Sequence, residues 1–168
     1  MNYFKFAQYA HNLQEAGVDA ILLACSTFNY AAELALPMID IPIMQIDRPM
    51  MEQAVSHSRR IGLLATLSTT VPSSERLLRI VAAEQKKDVE ITTALRPEAF
   101  KAWQEGDINA HNAIVLGEID KLSDKVDSIV MAQLSMSALA PHLKNTRVPV
   151  YNSGSTGFAR VREVLVSL

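Results

Sequence analysis

The 168-residue chain reads as an α/β protein made of two pseudo-symmetric α/β/α halves with short parallel sheets, the first half incomplete. Three observations predict this. Short continuous apolar runs alternate with amphipathic stretches, the pattern of parallel strands covered on both faces by the helices between them. The segments VDAILLACST (Val18–Thr27) and VDSIVMAQLS (Val126–Ser135) share one frame: valine, aspartate, a small residue, isoleucine, two apolar residues, alanine. A second landmark repeats with them, since Asp19 and Asp127 lie 108 positions apart and Pro42 and Pro149 lie 107 apart. Two landmarks at nearly equal offsets point to one design used twice.

Each element follows from local pattern. Tyr3, Phe6, Ala10 and Leu13 recur at steps of three and four, which predicts an amphipathic helix over 2–16 ended by Gly17 at its C′ position. DAILLAC (19–25) is the first buried strand; Ser26 or Thr27 caps a helix over 28–36, and Pro37 helps end it. IPIMQI (41–46) is the next strand, and 49–58 a short connecting helix. RIGLLAT (60–66) is a strand followed by the polar loop 67–70, after which Pro72 opens a helix to about Gln85. VEITTAL (89–95) is a strand, and a looser segment holds Trp103. Asp107 caps a helix with apolar positions Ile108, Val115, Ile119 and Leu122. DSIVMAQ (127–133), a helix near 136–144, VPVYN (148–152) and a helix from Thr156 complete the chain.

The repeat divides the chain into a first half, 1–48 with 150–168, and a second half, 49–149. Against the second, the first lacks about 48 residues ahead of Asp19, the length of a strand, a helix and another strand. An incomplete sheet exposes an apolar edge, so a homodimer that covers it is expected.

Composition narrows the function. A formal charge of −2 gives no electrostatic case for nucleic acid or an anionic membrane. No apolar run approaches the roughly 18 residues of a spanning helix, and the N-terminus lacks the continuous apolar stretch of a signal peptide. One cysteine excludes an intrachain disulfide and a cysteine-rich zinc site, and the four histidines are scattered without ligand spacing. A cytoplasmic protein without metal or cofactor is expected.

Chemistry is expected at the carboxyl ends of the parallel strands, where the following loops share one edge. Those ends carry Cys25-Ser26-Thr27, Thr66 with Ser68-Thr69-Thr70, Gln133 with Ser135, and Asn152-Ser153-Gly154. Small hydroxyl residues at helix starts serve as caps, and four such loops on one edge also suit a small anion. Cys25 is the one strong nucleophile among them, and a position just ahead of a helix favours its thiolate. Gln133, its repeat mate, can donate and accept hydrogen bonds but cannot carry a proton through a reaction cycle. Asp19, Asp127, His57, Arg59 and Arg60 stand at the opposite ends of strands and read as a surface set.

These motifs resemble the aspartate/glutamate racemase superfamily. That family has a C-[NS]-T motif after a buried strand, like Cys25-Ser26-Thr27, and a strand of the type IGLLAT with a threonine-bearing loop, like Ile61–Thr66 and Ser68–Thr70. It also has a near-terminal SG loop, like Ser153-Gly154. The resemblance implies two α/β halves around a central cleft and cofactor-independent chemistry at the α-carbon of a small carboxylic or amino acid. It assigns Cys25 as the base or nucleophile. Ser26, Thr27, Thr66, Ser68, Thr69, Thr70, Gln133, Ser135, Ser153 and Gly154 become the candidate binding residues for a small carboxylate or amino acid. The family usually has a second cysteine where this chain has Gln133, so the resemblance implies a one-thiol enzyme. The alternative is a catalytically silent or truncated relative that only binds small carboxylates.

Overall fold

The shared frame of the two quoted segments becomes shared geometry. In the computed structural model, which describes Tyr3–Ser167, β1 (Ile21–Leu23) pairs in parallel with β2 (Ile43–Gln45), and β5 (Ser128–Met131) pairs in parallel with β6 (Val150–Asn152). The registers match, Ile21 opposite Ile43 and Ile129 opposite Val150. The bonds that open them match too: the Ile21 amide donates to the Pro42 carbonyl at 2.8 Å and the Ile129 amide to the Pro149 carbonyl at 2.9 Å. Each proline sits just before its strand, where its missing N–H is not needed and its carbonyl is.

Between these pairs come α1 (Tyr3–Glu15), α2 (Asn29–Ala35), α3 (Arg48–His57), β3 (Arg60–Ala65), α4 (Val71–Glu84), β4 (Glu90–Leu95), α5 (Pro97–Gln104) and α6 (Ile108–Ser123); α7 (Ser153–Ser167) follows β6. The second sheet has the order β4-β3-β5-β6 and the first is β1-β2. β5 thus has a neighbour on each side, whereas its repeat mate β1 has one. Residues 150–152, expected with the first half, instead close the edge of the second sheet through the β5–β6 ladder. α7 is what returns to the first sheet, where its Gly157 meets Ile46.

The second sheet alternates as a strand buried on both faces must. Ile61, Leu63 and Ala65 of β3, with Val130 of β5, pack with Met50, Met51 and Val55 of α3 and Leu77, Leu78 and Val81 of α4. Leu64 of β3, with Ile129 and Met131 of β5, packs on the opposite face with Val115, Ile119 and Leu122 of α6. Both layers are fully buried, so this half has a complete three-layer core. The first half holds a smaller cluster around Ala10, Ile21, Ala35 and Ile39. The stripe of α1 is only half covered, with Ala10 buried and Leu13 42 % exposed.

Local departures have local causes. The looser segment around Trp103 is the helix α5, with Pro97 in its first turn. The stretch expected as a helix near 136–144 is a 3-10 helix, Leu134–His142, with Pro141 inside it. Proline supplies no N–H and crowds the preceding turn, so an α-helical ladder does not form across it. α7 begins three residues ahead of Thr156, because Asn152 Oδ1 accepts the Ser155 amide at 3.1 Å and caps it. Asp107 caps α6 in the same way, accepting from the Ala110 amide at 2.9 Å, and Gly17 has φ +79° at the end of α1. At the far ends of the strands, Asp127 accepts from the Arg60 amide and guanidinium, joining the starts of β3 and β5.

A methyl group on Gly157 would lie 2.4 Å from Ile46 Cγ1 and 2.6 Å from the Ile46 carbonyl oxygen, a backbone atom with little room to yield. Gly157→Ala is expected to cost about 1–3 kcal/mol in urea denaturation. Gly117→Ala on α6, where nothing lies within 4 Å, is expected to gain about 0.5–1 kcal/mol.

Candidate functional site

Two strand ends with one local design face a common cavity. Cys25 and Gln133 each follow a repeat strand with extended backbone, at φ −128°, ψ 107° and φ −151°, ψ 132°. Each precedes a 3-10 helix, Ser26–Phe28 and Leu134–His142. In both, the residue's carbonyl accepts from the amide three positions on, Phe28 to Cys25 at 2.9 Å and Met136 to Gln133 at 3.1 Å. Both side chains line a cavity of about 220 Å³, together with Ser26, Thr27, Thr70 and Ser135. Cys25 is a free, exposed thiol, and its side chain makes no capping bond.

The orientation of the Gln133 carboxamide follows from its partner. Its Oε1 accepts from the Thr66 backbone amide at 2.6 Å and from the Thr66 hydroxyl at 2.8 Å. A backbone N–H can only donate, so the atom facing it must be the oxygen. The amide NH2 is left as the donor that the pair Thr66–Gln133 can offer to a ligand. Thr66 is buried at the end of β3, and it acts on the cavity through Gln133 and is not part of its lining.

The remaining expected residues lie outside the lining. Ser68 and Thr69 are exposed in the loop before α4, and the Thr69 hydroxyl stands 3.4 Å from that of Thr27. Ser153 and Gly154 form the first turn of α7, with the Gly154 amide donating to Ser137 Oγ at 2.9 Å. A methyl on Gly154 would lie 2.7 Å from Ser137 Cβ, so this glycine allows α7 to pack against the 3-10 helix 134–142.

Sequence reasoning missed two parts of the site. Phe100 and Trp103 of α5 line the cavity with Leu67 and Leu134; a signal for them was present in Pro97-Glu98 as a helix start and in Ala99/Ala102 and Phe100/Trp103 at matching intervals of three. The second is Asp47, fully buried at the start of α3. The Asn29 amide donates to Asp47 Oδ2 at 3.0 Å, and Gln45 Nε2 donates to the Asn29 carbonyl at 2.9 Å. Burial pushes the Asp47 carboxyl above the ordinary range, while the side chains of Ser26, Asn29 and Ser153 pull the other way. The carboxyl therefore ties Ser26 and Asn29 to the end of β2. Among the described residues, no group of three or more His, Cys, Asp or Glu side chains could hold a metal ion, and no helix is long and apolar enough to cross a membrane.

Residues 4–161 match the family model described as Asp/Glu/Hydantoin racemase. The chain belongs to this family. A glutamate racemase of Levilactobacillus brevis is 31% identical over 124 residues, covering 70% of this chain and 44% of the relative. A glutamate racemase of Persephonella marina is 28% identical over 145 residues, covering 84% of this chain and 54% of that protein. The chain thus spans about half the length of the curated relatives it matches. A glutamate racemase from Francisella tularensis, solved in complex with D-glutamate, superposes with a TM-score of 0.73 at 17% identity, over 99% of this chain and 64% of that one. This likeness carries the racemase fold.

Asp47 predicts a pH dependence. A carboxyl whose folded pKa is raised above its ordinary 3.8 contributes stability that is complete below that value and lost as pH rises through the folded one. Asp47→Asn keeps an acceptor for Asn29 and removes the ionisation. Its melting temperature relative to the parent is expected to increase from pH 4 to pH 8, as measured by thermal denaturation across that range.

Proposed function

We propose that the protein is a cofactor-independent isomerase of the racemase type, moving a proton at the α-carbon of a small carboxylic or amino acid with Cys25 as its single base. The observation that carries this reading is the free, exposed Cys25 thiol in one cavity with the donor end of Gln133. The Cys25 thiolate takes the α-proton, and the C–H electron pair moves into the carboxylate to give an enediolate. A positioned base contributes on the order of 10²–10⁴-fold. The Gln133 NH2, the Thr27 and Thr70 hydroxyls, and the Ser26 and Thr27 amides left free at the helix start are the donors suited to the developing charge.

The Cys25 thiol trades its proton with solvent and returns one to the face it left, which is exchange with retention. Inversion takes its proton from water on the opposite face, because the Gln133 carboxamide has none to deliver, so exchange with solvent outruns inversion. Membership of the family and the glutamate racemase relatives support the amino-acid reading. The proposal includes a homodimer formed through the apolar face of α1, α2 and the 3-10 turn Leu36–Met38 that follows, where Phe4 is 78 %, Leu34 44 % and Met38 58 % exposed, and a cytoplasmic location.

Solvent deuterium should enter the α-position of a substrate faster than optical rotation is lost, and Cys25→Ala should abolish the exchange; mass spectrometry and polarimetry on one sample read both. Ligand-induced stabilisation with no exchange would leave only a binding protein. Gln133→Cys supplies a second thiol and should raise inversion towards the rate of exchange. It also strips Thr66 of its acceptor, at a stability cost of about 1–3 kcal/mol.

A further inference from the structure

Asp47 stands where an aspartate ordinarily caps a helix, directly ahead of α3, yet its side chain makes no bond to the α3 amides. Its carbonyl serves the helix instead, accepting from the Met51 amide at 3.2 Å. The carboxyl is fully buried, a placement that costs free energy unless hydrogen bonds offset it. Its partners come from other segments. Asn29 Nδ2 donates to Oδ2 at 3.0 Å, and the Ser26 and Ser153 side chains are close enough to lower the carboxyl's pKa. The bond from Asn29 is the regular one, since Asp47 Oδ1 and Ser153 Oγ meet no partner at ordinary length and angle.

These partners begin where strands end. Ser26 and Asn29 follow β1, Asp47 follows β2 and Ser153 follows β6, so one carboxyl gathers strand ends of both sheets. Ser26 is also the residue after Cys25, and both line the cavity. The Cys25 side chain makes no capping bond of its own. Its backbone is fixed by the turn in which the Phe28 amide donates to the Cys25 carbonyl at 2.9 Å. Ser73 Oγ holds that turn by the Thr27 carbonyl at 2.9 Å. Gln45 and Asp47 hold the following Asn29, one by its carbonyl and the other by its side-chain amide. Position 133 has its support in Thr66; position 25 has its own in Asp47.

We infer that Asp47 is a positioning residue for the reaction: as the hydrogen-bond acceptor of Asn29, it fixes the turn that sets the Cys25 thiol in the cavity it shares with Gln133. The effect on rate rests on the function proposed above, whereas the effect on the place of the thiol does not.

Misplacing a catalytic group by about 1 Å costs on the order of 10²-fold. With glutamate and aspartate as probes, Asp47→Ala in the full chain is expected to lower the turnover of Cys25-dependent deuterium exchange about 10- to 100-fold. KM is expected to move less, because Gln133 and Thr70 reach the cavity from other segments. Asp47→Asn keeps an acceptor for Asn29 at the same volume and should hold turnover within about threefold of the parent. Asn29→Ala removes the donor of the same bond and should match Asp47→Ala. The double variant should be about as slow as the slower single one, because losses through one shared bond do not multiply.

Circular dichroism and melting curves establish that each variant is folded at the assay temperature, and Asn29→Ala decides if Asp47→Ala does not fold. Parental turnover in a folded loss variant overturns the inference, as does a loss in Asp47→Asn as large as in Asp47→Ala, or losses that multiply in the double variant. Cys25 is the only cysteine of the chain, so alkylation by iodoacetamide reads its place without any substrate. The alkylation rate should rise about threefold or more in the loss variants, as a released turn exposes the thiol, and return to the parental value in Asp47→Asn. A parent that exchanges deuterium into neither acid would sink the catalytic reading for those acids; the alkylation rates then decide alone, and unchanged rates overturn the role of Asp47.

Discussion

Every strand in this protein runs parallel to the strand it pairs with, and parallel pairing delivers successive strand ends to one edge of each sheet. The fixed registers do more. With Ile21 opposite Ile43 and Ile129 opposite Val150, each repeat strand is anchored at the same residue relative to its proline. Each therefore ends at the same residue of the repeat, Leu23 in one half and Met131 in the other, which sets Cys25 and Gln133 at the same distance beyond. β3 adds the third component, because its pairing with β5 at Leu64 and Met131 brings the Thr66 amide to the Gln133 side chain. A slip of one residue in either ladder would turn the side chains to the other face and dissolve the cavity.

The two halves meet this constraint with unequal means. The second sheet is sandwiched by α3 and α4 on one side and α6 on the other, and its central strands β3 and β5 are buried except for Arg60. The first sheet has two strands and a small cluster, and it gains support from polar contacts that the second does not need. Asp47, Asn29 and Gln45 form a buried chain of hydrogen bonds under the Cys25 segment, and Gly157 of α7 presses on Ile46. Burial raises the pKa of the Asp47 carboxyl against the pull of its hydrogen-bond partners, so the support beside the thiol carries a pH-sensitive group.

Much of this was legible in the sequence for a physical reason. A strand buried on both faces must be apolar throughout, so DAILLAC, RIGLLAT and DSIVMAQ announce themselves and the 108-residue offset shows in plain text. Caps were legible because they are local, as with Asp107 and Gly17. What was not legible depends on packing between distant segments. The eight residues of α5 carry two interleaved pairs at intervals of three and no long stripe, and only tertiary placement gives Phe100 and Trp103 their role. Asp47 carries no local pattern that marks it, and its burial comes from Ser26, Asn29 and Ser153, which stand far from it in sequence. Ser153 and Gly154 looked like another loop at the active edge; Asn152 caps the helix early and draws them into its first turn.

The cradle that Thr66 forms around position 133 accepts an oxygen and is indifferent to the group attached beyond it. A carboxyl would satisfy the same two donors as the present carboxamide, with no rebuilding of β3 or β5. A glutamate at position 133 would therefore put a titratable group in the cavity with Cys25 by the exchange of a single atom, oxygen for nitrogen, on an unchanged scaffold.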